Sequence, residues 1–171
     1  MSNFSCNVDV FVEEDQWIKA LPLCEDLCSK AVKAVFDFKD LIKESFHVNI
    51  ILANNDFVQK LNREFRGKNK PTNVLSFPSE TDYNDDDENM LGDIFLAFET
   101  IQSEAVADSK SLEHHLQHLV IHGFLHLLSY DHEIDSDAEI MEDLEINILN
   151  SMGIKNPYLD LCDKEGLKLN D

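Results

Sequence analysis

The sequence predicts an α+β domain in which a mixed four-stranded sheet packs against helices and a helix rich in histidine runs through the core. Three observations predict it. Four short stretches carry the alternating or continuous apolar pattern of strands, at Asn7 to Val12, His47 to Ala53, Thr72 to Phe77 and Asp93 to Phe98. A single stretch around 112–128 is apolar on nearly all sides, the pattern of a buried helix. The 171 residues contain no internal repeat and no linker rich in proline, glycine and serine, so one domain spanning 1–171 is expected. A chain of that length buries about 70% of its unfolded surface, enough for a proper core.

In chain order, the strand at Asn7 to Val12 alternates valines and phenylalanine with polar residues and is followed by a helix from about Gln16 to Phe36. Cys24 and Cys28 fall one turn apart on that helix and read as small buried thiols rather than ligands. Asn55 or Asp56 can cap the next helix, which runs to about Arg66 and stops at Gly67. Further helices are expected at about Glu99 to Ala107 and Asp135 to Met152. In the second, Ile140, Leu144 and Ile148 are spaced for packing on the sheet, and Gly153 stops it.

Composition narrows the partners. The chain has 34 acidic and 14 basic residues, a formal charge of −20, which repels phosphate in general. The distribution is uneven. Lys60, Arg63, Arg66, Lys68 and Lys70 form a basic cluster that holds both arginines of the chain. Six of the nine residues from Glu80 to Glu88 are acidic, as are seven of the thirteen from Glu133 to Glu145, and both runs read as solvated surface. No stretch approaches the roughly 20 apolar residues of a membrane span, and the N-terminus lacks a signal pattern, so a cytoplasmic protein is expected. Cys6, Cys24, Cys28 and Cys162 are too few and too irregular for a disulfide framework.

The chemistry is concentrated between His118 and His132. On a helix, His122 and His126 at i and i+4 project from one face, so both imidazoles can reach a single ion. Leaving such rings unpartnered in a dry core costs roughly 2 to 7 kcal/mol each, so they call for a metal or matched acceptors. After Leu128 the apolar pattern breaks at Ser129, Tyr130 and Asp131, and the turn can bring His132 back as a third ligand. Three imidazoles with an open position define a catalytic rather than a structural metal site, and neutral nitrogen ligands suit one Zn²⁺ best. His118, one turn before His122, is either a group that supports the site or a packed histidine. His114 and His115 read as the polar start of the helix. Asp131 is a candidate to orient a ligand imidazole, and Asp93 either does so or closes the turn after Gly92.

The run His122-Gly123-Phe124-Leu125-His126-Leu127-Leu128-Ser129-Tyr130-Asp131-His132 closely resembles the H-G-x-L-H-L-x-G-Y-D-H signature of the YbeY family of bacterial endoribonucleases. Matches at Leu61-Asn62, Arg66-Gly67-Lys68, Pro71 to Phe77 and Gly92-Asp93-Ile94 agree in order and spacing. Two positions depart from the family. Ser129 stands where glycine is usual, which costs roughly 1 to 2 kcal/mol if the backbone there is left-handed. Asn73 replaces a common aspartate and removes one charge beside the site.

The resemblance implies a zincin-like domain with the metal on its central buried helix. It also implies cleavage of single-stranded RNA, in 16S ribosomal RNA 3′-end maturation and ribosome quality control. Its partners would be ribosomal RNA and ribosomal particles or ribosome-associated proteins, with no DNA and no membrane. Zinc on His122, His126 and His132 would lower the pKa of water from about 15.7 to about 7, which supplies a hydrolytic nucleophile. Arg66 is expected at the catalytic site with His122, because a guanidinium can pair with two phosphoryl oxygens as charge builds on them. A surface salt bridge is the plainer role for Arg66, and exposure without a specific role the plainer one for Arg63. Thr72 and Ser76 bond either phosphate or backbone. With −20 of charge, delivery by an assembled particle is expected to govern substrate choice more than affinity for free RNA. Two rivals remain. A zinc peptidase would place a general-base glutamate where Gly123 stands. In the other, a non-catalytic adaptor associated with ribosomes would use zinc only for stability.

Overall fold

The computed structural model describes residues 4–38, 41–42, 44–79, 90–130 and 135–158. Asp131, His132, the acidic stretch from Glu80 to Glu88, and Cys162 lie outside the described residues, and so do the expectations that fall on them. The elements are β1 (Cys6–Val12), α1 (Gln16–Ala20), α2 (Cys24–Phe36), β2 (Phe46–Ala53), α3 (Asn55–Arg66), β3 (Val74–Pro78), β4 (Met90–Ala97), α4 (Phe98–Ala107), α5 (Leu112–Leu127) and α6 (Asp135–Ser151). The fold is α+β with a mixed sheet ordered β1-β2-β4-β3. β1, β2 and β4 run parallel, and β3 closes the edge antiparallel to β4, with Ser76 opposite Ile94.

One face of the sheet carries the main core. Leu116, Val120, Ile121, Phe124 and Leu125 of α5 are fully buried there against Ile50, Leu52, Ile94 and Leu96 of the strands. Among the described residues the other face is covered by α3, over a small cluster of Ala53, Val58, Leu75 and Ala97. The helix over 16–36 that the sequence suggests is two helices. Leu21 precedes Pro22, whose ring disfavours a helical conformation in the residue before it, and Leu21 is extended at φ −135° and ψ 88°. The break lets Trp17 turn into the core, where its indole N–H donates to the Ala53 carbonyl at 2.9 Å and its ring meets Phe98 edge-on at 5.0 Å.

Caps explain the other boundaries. Asn54, one residue before the expected cap, accepts from the Phe57 N–H at 2.9 Å, and Ser111 accepts from the His114 N–H at 3.0 Å. α6 packs on α5 and α2 rather than on the sheet. Its buried stripe is Met141, Glu145, Ile148 and Leu149, while Ile140 is exposed. α5 ends in a Schellman turn: the Tyr130 N–H bonds the Leu125 carbonyl at 3.0 Å and the Ser129 N–H bonds the His126 carbonyl at 2.9 Å. The turn forces Ser129 to φ 81°, the left-handed region.

A side chain in that conformation carries strain that glycine would not. Ser129→Gly is expected to stabilise the protein by about 1 kcal/mol, less any entropy gained by the unfolded chain. A shift of the urea midpoint to higher denaturant at unchanged slope would establish this; an unchanged or lower midpoint would refute it.

Candidate functional site

His122 and His126 project from the same face of α5, their ring centroids 4.8 Å apart and their planes nearly perpendicular at 83°. Both line a cleft of about 730 Å³ whose opposite wall is formed by Asn62 and Arg66 of α3, Lys68, Lys70 and residues 72–76. Ser129 and Tyr130 close one end. The cleft lies where α5 passes beneath the edge strand β3. That passage is close because residue 123 is glycine: a Cβ there would meet Ser76 Oγ at 2.9 Å and Ile94 Cγ2 at 3.0 Å. Ser76 Oγ instead donates to the Gly123 carbonyl at 2.9 Å, so this hydroxyl serves the backbone.

Arg66 is fixed without a carboxylate. Its Nη2 donates to the Ser76 carbonyl at 2.8 Å, and its guanidinium carbon lies 5.1 Å from the centre of the Phe77 ring. Arg66, Lys68 and Lys70 make no ion pair among the described residues. Arg63 turns to the side-chain oxygen of Asn69, at 3.4 Å.

Beneath the imidazole pair sits a carboxylate that the sequence pattern assigns to solvated surface. Glu145 of α6 is 0% exposed. Its Oε1 is 2.7 Å from His118 Nε2 and its Oε2 is 2.7 Å from His122 Nδ1. The Tyr158 hydroxyl donates to Oε1 as well. Burial raises the Glu145 carboxyl, but the hydrogen bonds from His118 and His122 outweigh it and bring it down to about 2. An ionised carboxylate only accepts, so each ring presents an N–H to it. For His118, burial outweighs the attraction of Glu145 and lowers its pKa, which keeps the ring neutral. Its Nδ1 is buried without a partner among the described residues, and a neutral ring leaves a lone pair there rather than a charged donor. For His122, a proton on Nδ1 leaves the Nε2 lone pair as the ligating position.

His118, His122 and Tyr158 thus share one buried carboxylate, and Glu145 and Tyr158 are members of this network that periodicity alone missed. The available signal was an acid on the apolar stripe of α6, four residues after Met141 and three before Ile148. Removing Glu145 leaves two imidazole N–H groups and a phenol facing no acceptor. Glu145→Ala is expected to cost about 3 kcal/mol and Glu145→Gln, which keeps an acceptor, about 1 kcal/mol. Urea unfolding followed by circular dichroism measures both, and equal stabilities for the three proteins would contradict this account.

A second network lies behind residue 73. Asn73 Nδ2 donates to Glu104 at 3.0 and 3.3 Å, and His115 Nε2 meets the same carboxylate at 2.9 Å. His115 is buried, not part of a polar helix start, while His114 is exposed. Burial raises the Glu104 carboxyl, but the bonds from His115 and Asn73 win and set it below 4.5, so its contribution to stability is full above that pH and fades as pH falls below it. Asn73→Asp would place two carboxylates together. We expect a loss of about 1 kcal/mol at neutral pH, shrinking toward pH 4 as the pair takes up a proton, and largely reversed by adding Glu104→Gln. A loss independent of pH and of residue 104 would rule out the pairing. Asp93 bonds Asn49 across the sheet at 3.0 Å. Cys24 and Cys28 are buried free thiols.

The class of protein so defined is an α+β domain whose buried central helix presents an imidazole pair to a cationic cleft at the edge of a mixed sheet. This chain belongs to the YbeY family: the family model described as Endoribonuclease YbeY matches residues 11–153. Over 155 residues the chain is 43% identical to the endoribonuclease YbeY of Rhodopseudomonas palustris strain BisB18, covering 89% of this chain and 92% of that protein. Over 152 residues it is 44% identical to the endoribonuclease YbeY of Azorhizobium caulinodans, covering 88% and 95%. Among solved structures, the solution structure of TM1509 from Thermotoga maritima is similar with a TM-score of 0.50 and 27% identity, over 85% of this chain and 91% of that one.

Proposed function

We propose that this chain, as one zincin-like domain spanning 1–171, is a single-strand-specific, zinc-dependent endoribonuclease. It acts in the cytoplasm in 16S ribosomal RNA 3′-end maturation and ribosome quality control, on ribosomal RNA within ribosomal particles. The observation that carries the reading is the meeting of His122, His126 and Arg66 in one cleft of a YbeY-family chain. No helix among the described residues is long and apolar enough to cross a membrane.

The donor set fits zinc. His122 and His126 stand as a facing pair, His122 is braced through Nδ1 by a buried carboxylate, and His132, six residues after His126 in the sequence, would supply the third imidazole. Zinc held there supplies Lewis acidity and a lowered pKa for water near neutral pH. The chain's own groups do the rest. Lys68 and Lys70 draw the strand to the rim by charge. Arg66, tied to Ser76 through Nη2 alone, keeps N–H donors for the phosphoryl oxygens, where negative charge grows during cleavage. Glu145 keeps the His122 ring in one orientation. A peptidase reading is disfavoured by Gly123, since the contacts with Ser76 and Ile94 leave no room for a glutamate.

The test is single-turnover cleavage of a labelled single-stranded RNA by protein of known zinc content. Arg66→Ala should keep its zinc and lose on the order of 10²–10³ in rate, the usual effect of removing one charge-stabilising donor. His126→Ala should lose both zinc and rate. If all three proteins cleave alike, the activity is a contaminant's. If none cleaves while zinc stays bound, the metal is structural and the adaptor reading takes over.

A further inference from the structure

Phe65 is a large apolar side chain left 64% exposed on the last turn of α3. Asn62 and Arg66, one turn apart, line the cleft, and Phe65 projects about 100° away from Arg66 around the helix, beside the cleft lining rather than within it. The ring is braced rather than loose. It meets Phe77 edge-on at 5.6 Å, Phe77 meets Phe95 at 5.7 Å, and Phe95 meets Phe57 at 5.8 Å, so four rings form a continuous chain along the side of the sheet covered by α3. Arg66 fixes Phe77 from above. The surroundings of Phe65 are cationic, with Arg63, Arg66, Lys68 and Lys70 all free of carboxylate partners among the described residues. On a chain of charge −20, a fixed, exposed ring among cations that have not been neutralised is complementary to a partner that is at once aromatic and polyanionic.

We propose that Phe65 stacks on one base of a single-stranded RNA whose phosphates follow Arg66, Lys68 and Lys70 toward the histidine cleft, and that this contact makes the protein prefer single strands. The proposal rests on the RNA-cleaving reading above. In a duplex both faces of each base are covered by its neighbours, so a base reaches the ring only after unstacking; in a single strand a face is available at little cost. Stacking on an aromatic side chain is indifferent to base identity, so this contact selects for strandedness and not for sequence. Phe65 is a specificity residue in this scheme and takes no part in the chemistry.

The experiment uses the full chain and fluorescence anisotropy of an end-labelled RNA at low salt, with EDTA present and the strand checked for integrity. The same RNA is offered single-stranded, annealed to its complement, and with abasic sites. Phe65→Leu, which stays apolar but cannot stack, should bind the single strand about tenfold more weakly and the duplex as wild type does, and abasic sites should weaken wild type but not the variant. Phe65→Trp should bind as wild type and lose emission on binding, over the constant background of the one native tryptophan, Trp17, which is fully buried. Unchanged single-strand affinity in Phe65→Leu, or unchanged emission of Phe65→Trp at saturation, would overturn the proposal while leaving the nuclease reading intact. Failure of wild type to bind any RNA would overturn the stacking proposal, while the nuclease reading stands or falls on the cleavage experiment with the zinc-loaded protein.

Discussion

A carboxylate removed from water must be met by donors on nearly every lone pair, and in this protein that requirement ties three separate segments together. Glu145 lies on α6, His118 and His122 lie on α5, and Tyr158 follows the end of α6. Because the carboxylate can only accept, its presence fixes which nitrogen of each ring carries a proton. The orientation of the site histidine is thus decided at a residue 23 positions away in sequence, on a helix that never enters the cleft. The position of α6 across α5 is set as much by this network as by the apolar contacts of Met141, Ile148 and Leu149 around it.

The second constraint is the approach of α5 to β3. Glycine at 123 and the hydroxyl at 76 let a helix backbone and an edge strand meet, and the cleft walls follow from that contact. Arg66 reaches the outer carbonyl of the same serine, so one residue of β3 binds α5 through its side chain and α3 through its backbone. The distance between the imidazole pair and the guanidinium is therefore governed by a single strand position, not by loops.

Much of this was legible in the sequence, and the rest was hidden for definite reasons. The four strands, the mixed sheet, the buried helix and the shared face of His122 and His126 follow from local periodicity, and they are present. The break at Leu21 was signalled by Pro22 but overridden in the reading by an apolar pattern that continues across it. Glu145 and His115 were misplaced on the surface because Glu145 ends an acidic run and His115 follows Glu113 and His114; each is buried with a partner on another helix, which local spacing does not identify. The left-handed backbone at Ser129 was suggested only by the glycine usual there in the family the sequence resembles, and the Schellman turn supplies the geometry.

The bond between Arg66 and the Ser76 carbonyl also bears on how the protein behaves in a crowded solution. β3 is the last strand of its sheet, and an unprotected last strand offers its backbone groups to any other strand that drifts alongside. Here a bulky cation sits on that edge, with Pro78 two residues further along unable to donate at all. Neighbouring molecules that might add a strand meet a charge and a missing donor instead. One side chain thus guards the sheet edge and faces the cleft at the same time.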